Sequence, residues 1–183
     1  SASVGEIVAV AGLGEINVGE TICDPANVEP MEFLKIEEPT LEMSFMVNNS
    51  PFAGKDGDPV TSRKLADRLF KEMETDIALK VSATENADTF KVAGRGELHL
   101  SILIETMRRE GMEFQVSKPQ VVIKEIEGKK CEPYEYLTVD VPEEYMGPVM
   151  EKLGARKGEM TNMQNFNGQS RLEYIIPARG LVG

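Results

Sequence analysis

The residues whose types and spacing come closest to a chemical site lie in the segment 94–120. Gly94-Arg95-Gly96 follows a β-rich run and precedes a run with helical apolar spacing. A glycine turn in that context can bring backbone N–H groups to a phosphate at the start of a helix. The full dinucleotide fingerprint needs a third glycine, however, and His99 lies at its position. The motif therefore favours a tight turn that leads into a helix over a phosphate site.

Other residue sets with chemical potential also fall short of a site. Gly54-Lys55-Asp56 lacks both the glycine spacing and the hydroxyl residue of a Walker A loop. His99, the only histidine, has no cysteine, serine or carboxylate at a spacing typical of catalysis, which favours a structural role. Cys23 and Cys131 lack metal-ligand spacing, so free thiols are favoured over a disulfide. We therefore expect no catalytic, nucleotide-binding or metal-binding residue in this chain, and no cofactor.

The elements around the glycine motif predict a ferredoxin-like domain over residues 39–127. Alternating apolar residues predict a strand over Leu41–Val47, and a loop rich in Gly, Pro, Asn and Asp follows it. A helix over about residues 61–75 comes next, with a buried side formed by Leu65, Leu69, Phe70 and Met73. The order β-α-β-β-α-β is completed by a second helix after Gly96 and by strands over residues 78–84, 89–93 and 113–126.

A second unit over residues 128–183 repeats the first part of that order. It has a strand over 134–141, a helix over 143–153 that buries Tyr145, Met146, Val149 and Met150, and a hairpin around Asn167-Gly168. The hairpin strands are predicted at 158–166 and 170–177, and the second helix and fourth strand of the unit are absent. The predicted fold class is therefore α+β, with tandem ferredoxin-like (βαββαβ) domains of which the second is incomplete.

Residues 1–38 predict a different kind of structure. Two short β-rich runs, at 6–10 and 20–23, are separated by glycines and are typical of the last strands of a β-barrel. The segment 25–39 is interrupted by Pro25, Pro30 and Pro39, which indicates a linker that allows movement between the barrel end and the first ferredoxin-like domain.

Composition places the chain among globular proteins and leaves its partner open. Hydrophobic residues make up 41% of the sequence and charged residues 28%, and no apolar run approaches the ~20 residues of a membrane span. The net charge of −11 disfavours nucleic acid, but it is unevenly distributed. Residues 1–39 carry eight acidic residues and one basic residue, whereas later segments are nearly balanced. A basic face on those later segments is therefore compatible with the composition.

Several motifs, taken in order, resemble a known family. GRGELHL, followed by RRE and VSKPQV, resembles domain III of the elongation factor G family, and the second unit resembles its domain V. In elongation factor G a large domain IV separates these two, whereas here residues 124–130 connect them directly. This absence favours the branch of the family that lacks domain IV, and within that branch the motifs of the chain resemble the BipA/TypA group of ribosome-associated GTPases. Essentially all 183 residues are similar to that group, including NVGETICDP, NNSPFAGKDG, VTSRKLADRL and NFNGQSRLEYIIPARGLVG.

The resemblance implies a function for a longer parent protein. Members of the group are expected to hydrolyse GTP with Mg²⁺ on an N-terminal G domain and to bind the ribosome through rRNA and ribosomal proteins. They are also expected to assist large-subunit assembly and stress-responsive translation control, and to reach tRNA through a distinctive C-terminal domain. The chain would hold the end of domain II, domain III and most of domain V, so we expect a non-catalytic portion of a cytoplasmic, monomeric protein that does not contact membranes.

Candidate ribosome contacts follow from the same resemblance. Phosphate contacts position such domains through Lys and Arg. The candidates are Arg63, Lys64, Arg108, Arg109, Arg156, Lys157, Arg171 and Arg179. For the basic side of the first helix, which also includes Arg68 and Lys71, a solvated face is favoured over RNA contact. Arg108 and Arg109 have a second explanation, because cations in a last turn complement the helix dipole. Two alternative functions stay open: a sensor of a guanosine alarmone or metabolite, and a structural spacer between a G domain and a C-terminal domain.

Overall fold

The computed structural model describes residues 2–14, 16, 18–32 and 38–183, and the chain divides into two compact units, Ser1–Ile36 and Glu37–Gly183. The described residues of the first unit form no helix or strand, only an isolated bridge between Asp24 and Asn27. The two strands predicted at 6–10 and 20–23 are therefore not formed. Apolar residues there, such as Ile7, are exposed, and no neighbouring strand in the described part of the unit pairs with these runs. Residues 33–37 of the predicted linker lie outside the described residues.

The first half of the second unit is a ferredoxin-like domain, as predicted. Its elements are β1 (Leu41–Val47), β2 (Asp58–Pro59), α1 (Ser62–Thr75), β3 (Lys80–Ala83), β4 (Thr89–Gly94), α2 (Glu97–Arg109), β5 (Met112–Val116) and β6 (Gln120–Val121). The central sheet has the order β5-β1-β4-β3, with antiparallel pairing throughout. The short strand β2 extends the sheet by pairing parallel to β5.

The core of this domain lies between the sheet and the two helices. Phe45 on β1 is fully buried, as are Leu65 and Leu69 on α1 and Leu100 and Met107 on α2. Their spacing puts one apolar stripe of each helix against the sheet, as the sequence predicted.

Phe70 is an exception to the predicted core. The residue is 41% exposed. The ring contacts the core where it meets Phe90 edge-on, with the ring centroids 6.4 Å apart.

The last strand of the domain is interrupted, whereas the sequence predicted one strand over 113–126. β5 pairs with β1 at Phe45–Val47, and β6 pairs with the same strand at Leu41–Glu42. At the break, the Ser44 N–H donates to Ser117 Oγ at 2.9 Å, and the Ser117 N–H donates to the Ser44 carbonyl at 2.9 Å. Pro119 has no N–H to continue the ladder. A serine side chain therefore replaces part of the backbone pairing at this point.

A small hairpin connects the two halves of the unit. It consists of β7 (Lys124–Ile126) and β8 (Lys129–Cys131). Glu127 and Gly128 form its turn, with φ of 52° and 75°. The sequence predicted only a direct connection here, since glutamate is an unusual residue for a turn that needs positive φ.

The second half has the predicted β-α-β-β order. Its elements are β9 (Tyr134–Pro142), α3 (Met146–Ala155), β10 (Glu159–Phe166) and β11 (Gln169–Pro177). The sheet is antiparallel, with the order β10-β11-β9. A 3₁₀ turn at Glu143–Tyr145 precedes α3, so the predicted helix over 143–153 begins with a 3₁₀ turn, and a second 3₁₀ turn at Ala178–Leu181 follows β11.

The core of the second half is small. Leu172 and Ile176 on β11 are fully buried against α3, which contributes Leu153. Met146, Val149 and Met150 are partly buried against the same cluster, but Tyr145, predicted as buried, is 55% exposed in the 3₁₀ turn. Met160 and Met163 face the same side as Tyr174 and Leu172, yet each remains more than 40% exposed. In the described part of the unit this face of the sheet is covered by α3 and, at its edge, by Leu181 of the 3₁₀ turn.

Candidate functional site

The Gly94-Arg95-Gly96 turn docks helix α2 onto the sheet. A Cβ atom on Gly94 would lie 3.0 Å from both His99 Nδ1 and Leu100 Cδ2, so the first turn of the helix sits directly on this glycine. The Arg95 N–H donates to His99 Nδ1 at 3.2 Å. Because Nδ1 accepts this bond, Nε2 carries the ring proton and donates it to Asp76 Oδ2, 2.5 Å away. The only histidine thus connects the turn to the residue that follows α1.

The two halves of the unit meet at a polar seam. Glu97 Oε2 accepts a hydrogen bond from the Gly183 N–H at 2.9 Å, and the Thr40 hydroxyl donates to Glu135 Oε1 at 3.0 Å. Arg156 holds the segment 178–183 from the other side by donating to the carbonyls of Gly180 and Gly183, both at 2.9 Å. A cavity of about 640 Å³ opens at this seam, and Glu97 and Glu135 contribute carboxylates to its wall. Arg95 also lines the cavity, but the two carboxylates outnumber this arginine, which disfavours a polyphosphate there.

Most of the predicted ribosome contacts are arginines that pair within the chain. Arg108 and Arg109 both donate to Glu105, each at 2.8 Å, and this lowers the pKa of the Glu105 carboxyl to about 2. The second half contains two bidentate ion pairs, in which Arg171 donates two hydrogen bonds to Asp140 and Arg179 donates two to Glu132. The hydrogen bonds in these pairs raise the pKa of both arginines, and the hydrogen bonds from Arg171 lower the pKa of the Asp140 carboxyl.

Three predicted contacts are more available to a ligand. Arg63 is 93% exposed and reaches Asp67 only at 3.9 Å. Lys64 and Lys157 are exposed, and the described part of the chain shows no ion pair for either of them. Lys157 lies just after α3 with φ of 65°.

The eight predicted residues lie in two groups. Arg68 on α1 donates to Glu110, which directly follows α2. The Asp58 N–H, shortly before α1, also donates to the Gly111 carbonyl, shortly after α2, so Arg63 and Lys64 lie at the same end of the first domain as Arg108 and Arg109. The other four lie in the second half, on β11, on the 3₁₀ turn after it and in the segment after α3.

Arg68 has a structural role that the sequence did not indicate. Its guanidinium group donates to Glu72 at 2.6 Å and to both oxygens of Glu110 at 2.7 and 2.8 Å, and its side chain is only 18% exposed. The hydrogen bonds to Glu110 are the main cause of a raised pKa for Arg68. The interpretation of this helix side as a solvated face is therefore wrong for Arg68. Glu72 lies four residues away, but Glu110 is remote in the sequence, so spacing alone could not reveal the network.

Glu113 is a second residue whose role the sequence did not indicate. It holds the loop between β1 and β2. The loop segment 48–56 curls around the Glu113 carboxylate, which is buried at 7% exposure. It accepts hydrogen bonds from Asn48 Nδ2 at 2.7 Å, from the Gly54 N–H at 2.8 Å and from the Asp56 N–H at 2.9 Å. An acidic residue between two apolar ones, Met112 and Phe114, was the available signal.

Replacement of Glu113 by glutamine is expected to release this loop. The backbone N–H bonds lower the pKa of the Glu113 carboxyl below its ordinary value of 4.5, so its stabilising effect is complete above that pH. It is lost as the pH falls through the lower pKa of the folded state. In Glu113→Gln, hydrogen exchange at Gly54 and Asp56 should be about tenfold faster or more at neutral pH. Exchange measured by NMR checks this.

Glu125→Gln provides the matched control for that prediction, because Glu125 is an exposed residue on β7. It should leave exchange in the loop unchanged. Equal exchange rates in the two variants would show that the carboxylate does not hold the loop.

The described residues contain no group of three or more His, Cys, Asp or Glu side chains placed to hold a metal ion. Among the same residues, no helix is both long and apolar enough to cross a membrane.

Two family models match the second unit in the order of its halves. Residues 56–118 match the model described as "Elongation Factor G, domain III", and residues 129–183 match "Elongation factor G C-terminus". The matched regions thus correspond to the two ferredoxin-like halves described above.

Curated relatives match the chain over its full length. The chain is 57% identical to the "Large ribosomal subunit assembly factor BipA" of Bacillus subtilis (strain 168), and 56% identical to proteins of that name in Salmonella typhimurium and in Synechocystis sp.. Each match covers 100% of this chain but only 30–31% of the relative. The chain therefore spans about 30% of the length of these proteins. With both domain models matched in order and 57% identity over its full length, the chain resembles proteins of the elongation factor G family and, among them, the BipA assembly factors.

Proposed function

We propose that this chain is the ribosome-binding, non-catalytic portion of a BipA-type protein that takes part in large ribosomal subunit assembly. The observation that supports it is the 57% identity, across all 183 residues, to a protein named as a large ribosomal subunit assembly factor. The relatives are about three times as long as this chain, so the activity of the parent lies partly in segments beyond these residues.

The parent would be a GTPase. The matched models are those of domain III and the C-terminus, and the sequence contains no Walker A loop. Binding of GTP with Mg²⁺, and its hydrolysis, would therefore belong to a G domain elsewhere in the parent. We further propose that the parent is a cytoplasmic monomer, that it contacts tRNA through its C-terminal domain, and that it acts in stress-responsive translation control.

Ribosomal contacts of this portion would use the cations that its own acids do not neutralise. A phosphate binds most favourably to a cation that does not first have to break an ion pair or hydrogen bond within the protein. Lys64 and Lys157 meet this condition among the predicted residues, and Arg63 has only a long contact to Asp67. Arg108 and Arg109 share one carboxylate, so together they still present one net positive charge at the same end of the domain as Lys64.

Charge reversal at the two available lysines tests this proposal. The double variant Lys64→Glu/Lys157→Glu should lose at least about tenfold in affinity for purified ribosomal particles, because each reversal removes a phosphate contact and adds repulsion. Sedimentation of the chain with large subunits through a sucrose cushion measures this.

Lys80→Glu is the control, since Lys80 is exposed on β3 and is not among the predicted contacts. It should bind like the unmodified chain. Failure of the unmodified chain to sediment with ribosomal particles would count against the proposed function. An unchanged affinity of the double variant would count against these two contacts.

A structural spacer is the second candidate function. The seam favours it, because Glu97 and Thr40 make hydrogen bonds that tie the second half to the first, and Arg156 holds the segment 178–183 that carries one of these contacts. A spacer would leave the chain in the supernatant of the same sedimentation experiment.

A further inference from the structure

We infer that the outer face of the second sheet carries a stacking site for an unpaired nucleobase of RNA, centred on Phe166. This inference rests on the proposed function, since it names the kind of RNA element that one face would contact. The site is an open cavity of about 650 Å³ at the hairpin end of the sheet, a volume within the usual range for small-ligand pockets. Its wall is formed by Asp140, Gln164, Phe166, Asn167, Gln169 and Arg171.

Register places these side chains on one face. Gln164 lies opposite Arg171, which lies opposite Asp140 on β9, and Phe166 lies opposite Gln169. Directly opposed residues of antiparallel strands project to the same side of a sheet. The core residues of β11, including Leu172, project to the other side against α3. The Phe166 ring is 75% exposed, so a large aromatic surface lies at the hairpin end of a sheet face that α3 does not cover. Tyr136 on β9 is exposed on the same face but does not belong to the wall of the cavity.

The hairpin tip holds Phe166 in place before any ligand arrives. Asn167 and Gly168 form the turn with φ of 48° and 76°, and the Gly168 carbonyl accepts a hydrogen bond from the Glu143 N–H at 3.1 Å. On the buried side, the Ser170 hydroxyl, which is fully buried, donates to Asn165 Oδ1 at 3.0 Å. The residues on both sides of Phe166 are thus fixed, which reduces the entropy lost on stacking.

The charges of the cavity cancel. Arg171 donates to Asp140 through Nε at 2.8 Å and through a terminal nitrogen at 2.9 Å, so the only cation of the wall is paired with its only anion. A free phosphate would have to displace Asp140 to gain this arginine. A neutral ligand has no such penalty. It could stack on the planar guanidinium group of Arg171, whose orientation is fixed by the two hydrogen bonds to Asp140.

Amide groups decide which neutral ligand fits. Gln164, Asn167 and Gln169 each offer both an N–H donor and a carbonyl acceptor around the ring. Single-stranded RNA is recognised by this combination, in which a base stacks on an aromatic or guanidinium plane and its edges bond to polar side chains. An apolar peptide side chain would leave these amides facing it without partners. The chemistry of the wall therefore favours an unpaired base over a hydrophobic peptide.

Fluorescence anisotropy with a short, unpaired RNA of adenosine and cytidine tests the site directly. Phe166→Ala should weaken binding by about tenfold, because stacking on one aromatic ring is lost. Phe166→Trp keeps a planar ring and should bind like the unmodified chain. Phe52→Ala removes another exposed phenylalanine, 64% exposed on the loop of the first half, and should have no effect. An abasic ribose-phosphate strand of the same length should bind weakly to every variant.

Parallel sedimentation with ribosomal particles separates this inference from the proposed function. A Phe166→Ala chain that binds the RNA and the particles as tightly as the unmodified chain overturns the stacking site and leaves the proposed function intact. A chain that binds the RNA through Phe166 but does not sediment with ribosomes supports the site and contradicts the proposed function. Equal binding of the abasic strand, no RNA binding by the unmodified chain, or preference for a hydrophobic peptide over RNA would each overturn the inference.

Discussion

Phe45→Ala is expected to lower the free energy of unfolding by about 3–5 kcal/mol, a large part of the total for a domain of this size. Phe45 lies in the middle of β1 with no exposed surface. Its ring stacks on Phe114 with centroids 5.5 Å apart and planes 14° from parallel. The substitution would remove a buried ring from the contact between the central strand and both helices, and the surrounding residues can only partly close the cavity. Urea unfolding followed by circular dichroism measures the effect.

Phe52→Ala is the matched control for that prediction. The Phe52 ring is 64% exposed, and its described ring contact is with Lys55, whose Nζ lies 4.8 Å from the centroid. An exposed cation–π contact contributes about 1 kcal/mol at most, so the control should change stability by no more than that. If the two variants unfolded at the same urea concentration, the assignment of Phe45 to the core would be wrong.

Gly94→Ala should destabilise the chain by about 1–3 kcal/mol through overpacking. The added methyl group would lie 3.0 Å from Leu100 Cδ2 and from His99 Nδ1, and both belong to the first turn of α2. Helix α2 would have to move away from the sheet, which weakens the hydrogen bond from the Arg95 N–H and the contact of His99 with Asp76. Thermal unfolding, together with the NMR signal of the His99 ring, reports both effects.

Gly96→Ala is the control, because no atom lies within 4 Å of a Cβ on Gly96. Its φ of −178° is extended backbone that any residue adopts. Stability should therefore change little. A control that was as unstable as Gly94→Ala would indicate that the motif needs glycine flexibility rather than space at Gly94.

The local parts of the fold were predictable from the sequence. Strand β1 and helix α1 follow from alternation and from helical spacing, and Thr61 caps α1 by accepting from the Lys64 N–H. The Asn167-Gly168 hairpin follows from turn chemistry. The interruption between β5 and β6 did not follow, because the Ser44–Ser117 hydrogen bond joins residues that are 73 positions apart.

In the candidate site too, contacts between residues close in the sequence were predictable, and contacts between distant residues were not. The pairing of Arg109 with Glu105 is an i, i+4 contact on one helix, and spacing reveals it. Arg179–Glu132 and Arg68–Glu110 join residues that are 47 and 42 positions apart, so the sequence showed free cations where the fold has ion pairs. Residue types alone therefore overestimate the positive charge that these surfaces offer.

The central position of β1 has a consequence for the synthesis of the protein. Among the strands of the described residues β1 is made first, yet its neighbours β4, β5 and β6 come later, and β6 ends only at Val121. During translation, the apolar face of β1 stays exposed and both of its edges stay unpaired until those strands emerge from the ribosome. Chaperones bind unpaired strand edges and exposed apolar surface, and the same features promote aggregation. Nascent chains of this protein should therefore be most dependent on chaperones before residue 121 emerges, and far less so afterwards.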